Sequence, residues 1–270
     1  MRGVAAGSRV RPRVRAGAAI LGAYGWGFFA FLYLPLAVIV VFSLDASPVS
    51  AFPMQGWTLR WYHQLLADGE LLGALWTSLR VAAAATAAAV LIGTPGALAL
   101  DRCRFPGRAL LARLILMPIV LPGIITGISF LTFFSALRWN LSLFTVVIAH
   151  ATFCIPIVLT QVLARLRRFD RRTEEAAMDL YAGRLRTFML VTLPALRTSI
   201  LGGALLAFTL SLDEIVVTIF VTGRDNTLPM QIWAMLRRGF TPEVNAAATL
   251  ILGASTLLVL LAARGLHETD

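Results

Sequence analysis

The segment Thr173-Glu174-Glu175-Ala176-Ala177-Met178-Asp179-Leu180-Tyr181-Ala182-Gly183 runs on to Val191-Thr192-Leu193-Pro194. It is a polar, helix-forming insert between two long apolar stretches. Its acids stand near the start, where a helix N-terminus favours negative charge, and Asp170 is placed to cap it. Ala176, Ala177, Leu180 and Tyr181 form a small apolar stripe at helical spacing. Gly183 breaks or turns the chain, Leu185–Val191 fits a second short helix, and Pro194 opens the next apolar run. A helix-turn-helix with small residues on one face suits a groove on a partner. An amphipathic helix lying on a membrane surface fits the same residues equally well.

The surroundings of the insert are membrane-like. The 270 residues are 58% hydrophobic and 14% charged, against about 25% charged in soluble domains. This composition reads as a polytopic membrane protein. The net charge of +10 does not indicate nucleic acid, because the arginines sit between apolar spans and act as topology signals. All 24 basic residues are arginine, which reads as coding bias rather than mechanism. Cys103 and Cys154 have no metal-site spacing, and their expected placement, one in a loop and one in a span, does not suit a disulfide. The first apolar stretch lacks a small-residue cleavage site after it and is expected to be a retained span.

A membrane helix needs about 20 apolar residues. Six stretches qualify, roughly 18–44, 71–100, 110–137, 141–164, 199–221 and 244–263. Eighteen arginines fall on one side of these spans, in the N-terminal tail, the loops near 102–113 and 165–197, and at Arg264. Five fall on the other side: Arg60, Arg138, Arg224, Arg237 and Arg238. Both termini are therefore expected in the cytoplasm. The expected organisation is a cytoplasmic tail over 1–17, one transmembrane domain over 18–264 and a cytoplasmic tail over 265–270. The insert is its longest cytoplasmic loop, about 165–198. On the outer side, Trp57, Trp61 and Tyr62 suit an interfacial aromatic belt, and Leu228–Leu236 a short interfacial helix. Thr241-Pro242-Glu243 is a strong start signal for the last span. In the third span, Pro118, Pro122, Gly123 and Gly127 predict a break, either a packing kink or a mobile path-lining helix.

Asp213 and Glu214 are the acids that lie deep in an apolar span, with Asp213 about 24 Å along the helix from Arg197. Intramembrane carboxylates are costly and face a cavity or a partner. Neighbouring residues differ by about 100° around a helix, so the two acids do not share a face unless the helix unwinds. Ser211, Glu214 and Thr218 share one face, and Thr209 and Asp213 another. The functional reading is a way-station for a cation. The alternative is an interhelical tie that fixes packing. His150 reads as a hydrogen-bonded packing residue. No metal site and no catalytic residue set is expected. Without lysine, the chain lacks a phosphate-binding glycine loop of the GK type.

Two stretches carry a family resemblance. Glu175, Ala176, Ala177, Asp179, Leu180, Leu193 and Pro194 resemble the EAA loop of ABC-importer permeases, with Tyr181 standing where the family has glycine and Gly183 two residues later. Ser211-Leu212-Asp213-Glu214-Ile215-Val216-Val217, Phe220-Val221-Thr222-Gly223, Thr227-Leu228-Pro229-Met230 and Thr241-Pro242-Glu243-Val244-Asn245-Ala246 are similar to the shorter permease of spermidine/putrescine-type importers. The resemblance implies an all-α membrane protein with the six-helix type I importer permease fold. It implies an ATPase-coupling surface at Glu174, Glu175, Ala176, Ala177, Asp179, Leu180, Tyr181, Gly183, Leu193 and Pro194. It places a substrate path at Asp213 and Glu214 with Ser211, Thr209 and Thr218. The implied partners are a homologous second permease, an ATPase dimer and a periplasmic or extracellular binding protein, in a bacterial cytoplasmic membrane. This chain would hold no cofactor, with ATP and Mg on the ATPase. Import of another small solute (an opine, amino-acid derivative, phosphonate, iron or thiamine) by the same machinery stays open. An intramembrane enzyme or a structural membrane subunit are rivals from other classes.

Overall fold

A computed structural model describes residues 12–180, 183–239 and 241–267. The expectations placed on Tyr181 and on the arginines up to Arg11 lie outside these residues. Regular structure among the described residues is helical, with one isolated antiparallel bridge, Asp45–Trp57. In lipid, helices satisfy their own backbone groups. The first helices are α1 Pro12–Phe42, α2 Arg60–Ala67 and α3 Gly69–Arg102. The third apolar stretch divides into α4 Arg108–Leu114, α5 Met117–Val120 and α6 Gly123–Ala136. Then come α7 Leu143–Leu166, α8 Arg172–Asp179 and α9 Arg184–Thr187, followed by a π-helical turn over Phe188–Thr192. The chain continues as α10 Leu193–Asp213, α11 Val216–Val221, α12 Leu228–Arg238 and α13 Pro242–His267.

Four helical runs among the described residues are long and apolar enough to cross a membrane: Leu21–Phe42, Gly69–Arg102, Leu143–Leu166 and Arg184–Asp213. A fifth is gained if the bent pair Arg108–Val120 and Gly123–Ala136 is one span. The sixth expected stretch lies within α13, which begins at Pro242 as its start signal predicts.

The structure corrects the reading of the insert. Leu185–Val191 is not a separate short helix: α9, the π turn and α10 form one helical run. Pro194 has no N–H to donate, and the Leu193 N–H bonds the Phe188 carbonyl five residues back. The π turn accommodates the proline without ending the helix. The third stretch breaks where its prolines and glycines predict, bending by 104°. Leu121 is extended at φ −71°, ψ 139°, as the residue before a proline prefers.

The chain divides into two compact units. In the first, Met1–Gln64 with Phe240–Leu252, Asp45 is buried and organises the loop after α1. Its Oδ1 accepts the N–H groups of Ser47 and Gln55, each at 3.1 Å, and its carbonyl accepts Trp61 Nε1 at 2.7 Å. Trp61 is thus buried by a structural bond, whereas Trp57 is exposed. Asn245 Nδ2 donates to Ser50 Oγ at 3.0 Å within the same unit.

The second unit, Leu65–Gly239 with Gly253–Asp270, contains a three-helix core of α3, α7 and α10. Small residues recur along α3 every three or four positions, at Ala74, Ser78, Ala82, Ala85, Ala89, Gly93 and Ala97, and all are buried. A Cβ at Gly93 would lie 3.0 Å from the Ile155 carbonyl oxygen, so the α3 and α7 backbones approach as only small residues allow. Cys154, Val158, Val162 and Leu166 of α7 face this row, and Leu196 and Ala207 of α10 close the cluster. Lipid tails are as apolar as these side chains, so close packing rather than the hydrophobic effect holds the three together.

Candidate functional site

Two places in the second unit combine polar chemistry with an unusual backbone. The first is the cytoplasm-style insert. Asp170 Oδ1 accepts the Arg172 N–H at 3.0 Å, and Thr173 Oγ1 donates to the Asp170 carbonyl at 2.7 Å, so Asp170, one residue before the N-cap Arg171, ties down the first turn of α8. The two glutamates of α8 then part company. Glu174 is 8% exposed. Its Oε1 accepts Arg102 Nη2 at 2.5 Å and also the hydroxyl of Thr192 in the π turn. One carboxylate therefore ties the end of α3, the helix α8 and the foot of α10. A second tie lies alongside, with Arg171 Nη2 donating to Asp101 Oδ2 at 2.5 Å.

Glu175, Ala176, Asp179 and Leu180 point outward, and Ala177 is half-buried. Leu180 is 82% and Leu185 75% exposed. Two acids beside large bare apolar groups make a surface suited to another protein. Gly183 is extended at the start of α9, Leu193 is half-buried, and Pro194 is exposed. The sequence grouped Glu174 with the outward residues, but the structure uses its carboxylate within the chain. The ties of Arg102 and Arg171 were missed because arginines at span ends already have a topological explanation, and Asp101 gave no signal apart from its Arg171 partner.

The second place is the acid pair. The apolar stretch 199–221 is not one helix: α10 ends at Asp213, Glu214 is extended at φ −74°, ψ 117°, and α11 starts at Val216. The helix unwinds where the two acids stand. Glu214 Oε1 accepts the Val217 N–H at 2.8 Å and so caps α11. Asp213 is exposed, and its carboxylate makes no hydrogen bond or ion pair among the described residues. Thr209, one turn below it, is exposed and bonds only its own helix, donating to Leu205 O at 2.9 Å. Ser211 and Thr218 turn inward instead: both are buried against His150, at 2.7 Å and 2.9 Å from its ring nitrogens. Those two hydroxyls are engaged in the interior.

α11 is seated by close contacts. Gly123 meets Val216, and a Cβ at Gly127 would overlap the Phe220 ring, so α6 can take α11 only with glycine there. Thr145 Oγ1 lies 2.7 Å from the Val221 carbonyl and fixes the other end. The bend below α6 opens a mainly apolar cleft of about 390 Å³ beside Pro118, Phe130 and Thr152. A helix that stops inside a span leaves its last carbonyls without helical partners. Such broken backbone in membranes lines a cavity or is buried in protein. A free carboxylate beside bare carbonyls presents negative charge and suits a cation.

The long apolar helices define a multi-pass membrane protein, with one span broken at an acid pair. Residues 89–268 match the family described as binding-protein-dependent transport system inner membrane component, and the chain belongs to it. It is a transport permease and not an enzyme. The chain is 44% identical over 234 residues to the putrescine transport system permease protein PotI of Escherichia coli K12, covering 84% of this chain and 83% of that one. It is 36% identical over 245 residues to the spermidine/putrescine transport system permease protein PotC of the same strain, covering 90% and 92%. A sulfate transport system permease protein, CysT of Salmonella typhimurium, is 30% identical over 246 residues, covering 84% and 89%. The fold is that of a chain in the crystal structure of a bacterial alginate ABC transporter bound to its alginate-loaded periplasmic protein. The TM-score is 0.71 at 15% identity, over 93% of each chain.

Proposed function

We propose that this chain is one permease subunit of a polyamine-importing ABC transporter. Its homologous second permease completes the path, an ATPase dimer docks on α8, and an external binding protein delivers the solute. The observation that carries the substrate class is the 44% identity to a putrescine permease. The unwound acid pair with its free Asp213 supports it, because a polyamine offers the ammonium charge that such a site lacks. The experiment is a thermal-shift screen of the cognate binding protein. Putrescine or spermidine should raise its Tm and sulfate should not; the reverse pattern overturns the substrate class.

In this reading the membrane is crossed six times, by α1, α3, the bent α4–α6 run, α7, α10 with α11, and α13, with both termini in the cytoplasm. Reporter fusions at Gly183 and Gly223 are expected to report cytoplasm and periplasm respectively. The opposite pattern removes both the topology and the docking surface.

The ATPase contact is assigned to the outward face of α8 and α9. Glu175→Arg reverses a charge there without touching the Glu174 ties. The variant should insert and keep its Tm, yet lose ATPase copurification or transport-coupled hydrolysis by roughly tenfold, the size of a lost charge-assisted contact. Normal coupled hydrolysis in that variant contradicts the docking role. ATP and Mg would sit on the ATPase, and alternating access would follow its closure.

A further inference from the structure

His150 lies on α7, is fully buried, and touches both sides of the break at Asp213 and Glu214. Nδ1 is 2.7 Å from Ser211 Oγ on the last turn of α10. Nε2 is 2.9 Å from Thr218 Oγ1 on the first turn of α11. The proton positions follow from what each atom is able to give. Thr218 has one hydroxyl proton, and the Glu214 carbonyl at 2.8 Å, which only accepts, lies within its reach. With that proton on the carbonyl, Thr218 Oγ1 accepts from His150 and Nε2 carries the ring proton. Nδ1 of the neutral ring is then an acceptor, and Ser211 donates to it. A single directed chain results, from the Ser211 hydroxyl through the imidazole and Thr218 to the Glu214 carbonyl.

α7 also holds each side separately. Cys154 Sγ lies 3.4 Å from the Ala207 carbonyl of α10, and Thr145 Oγ1 reaches the Val221 carbonyl of α11. Between these two grips, His150 bonds both half-helices at once. Buried polar groups without partners are costly, so the two hydroxyls and the ring specify one relative placement of the two helix ends. The unwound residues between them have their ends set by that placement.

We propose that His150 is a positioning residue: a neutral, Nε2-protonated imidazole that joins α10 to α11 and thereby sets how Asp213 and Glu214 are presented. This rests on the reading of the acids as path residues, and the test separates the two ideas. The first measurement is nitrogen-15 histidine NMR on the assembled transporter in lipid, with His63→Gln and His267→Gln to isolate the His150 signals. The expected result is a protonated Nε2 and a bare Nδ1 at neutral pH. The opposite tautomer or an imidazolium overturns the proposal, with no variant at His150 required.

The second measurement is ATP-driven putrescine uptake. His150→Leu fills the volume and deletes both bonds. Uptake is expected to fall on the order of tenfold or more while the complex still assembles, since two buried hydroxyls lose their partner. If His150 acts through the acids, adding Asp213→Asn and Glu214→Gln to His150→Leu produces little further loss. Losses that multiply overturn the positioning role. Wild-type uptake by Asp213→Asn, Glu214→Gln alone defeats the path reading of the acids, and with it this role, but leaves the tautomer result standing as a packing bond.

Discussion

Asp213→Asn is expected to lower polyamine uptake by roughly an order of magnitude with assembly and Tm intact, the scale of one lost charged contact. Asp213 is the free member of the pair: it is exposed, carries no partner among the described residues, and sits at the end of α10. An unpaired carboxylate at bilayer depth costs about 2.5–3.5 kcal/mol on insertion scales. A passing ammonium offsets that cost transiently, and the site must stay weak enough for the solute to leave. Asparagine keeps the volume and removes the charge. Glu214→Gln should behave differently, because Glu214 caps α11 through the Val217 N–H at 2.8 Å. Its loss of charge is expected to lower Tm as well as uptake, with the stability part about 0.5–2 kcal/mol for a weakened cap. Loss of assembly in both variants would mark the acids as structural glue. Wild-type uptake in both would remove the acid pair from the transport path.

Glu174→Ala is expected to be the most destabilising single change in the segment from α8 to the π turn. It strands Arg102 and frees Thr192, opening the tie between α3, α8 and the π turn. Removing one partner of a buried pair costs about 3–5 kcal/mol. The Arg102 side chain is 34% exposed, and solvent screening brings the expectation down to roughly 2 kcal/mol. Thermal melting of the purified protein in lipid reads this directly. Glu175→Arg, one residue on, should leave the melt unchanged and act on the ATPase instead. If Glu174→Ala melts normally and loses only the ATPase, Glu174 belongs to the docking surface and its ties to Arg102 and Thr192 are incidental. Restoration of the melt by Glu174→Gln, which keeps the Thr192 bond but not the ion pair, would assign the stability to the hydrogen bond.

The two acids of α8 show where sequence reading stops. Adjacent glutamates look alike in a chain, and both suit the N-terminal turn of a helix. Their different fates depend on Arg102 and Thr192, which lie 72 and 18 residues from Glu174. The unwinding at Asp213 is similar. Apolar residues continue through Val216, Val217, Ile219 and Phe220, so the stretch 199–221 reads as one helix. The break is flanked by contacts from elsewhere in the chain: His150 of α7 at Ser211 and Thr218, and Thr145 of α7 and the glycine face of α6 on α11. Signals that act locally were legible. Proline with glycine marked the bend at Pro122, although its 104° came only with the structure. Asp170 marked the start of α8, and Pro242 the start of α13. The long apolar runs marked the helices of the core to within about two residues at most ends, as Gly69–Arg102 and Leu143–Leu166 show. Pro194 misled in the opposite direction, because a π turn lets the helical run pass through it.

Uptake into proteoliposomes is the decisive test of polyamine import. The vesicles would carry this chain with its second permease and ATPase, supplied with the binding protein outside and ATP inside. Labelled putrescine is expected to accumulate saturably, with both ATP and the binding protein required, with competition by unlabelled spermidine and with no effect of sulfate. An assembled, ATP-hydrolysing complex that accumulates no polyamine, or that accumulates sulfate in its place, would contradict polyamine import.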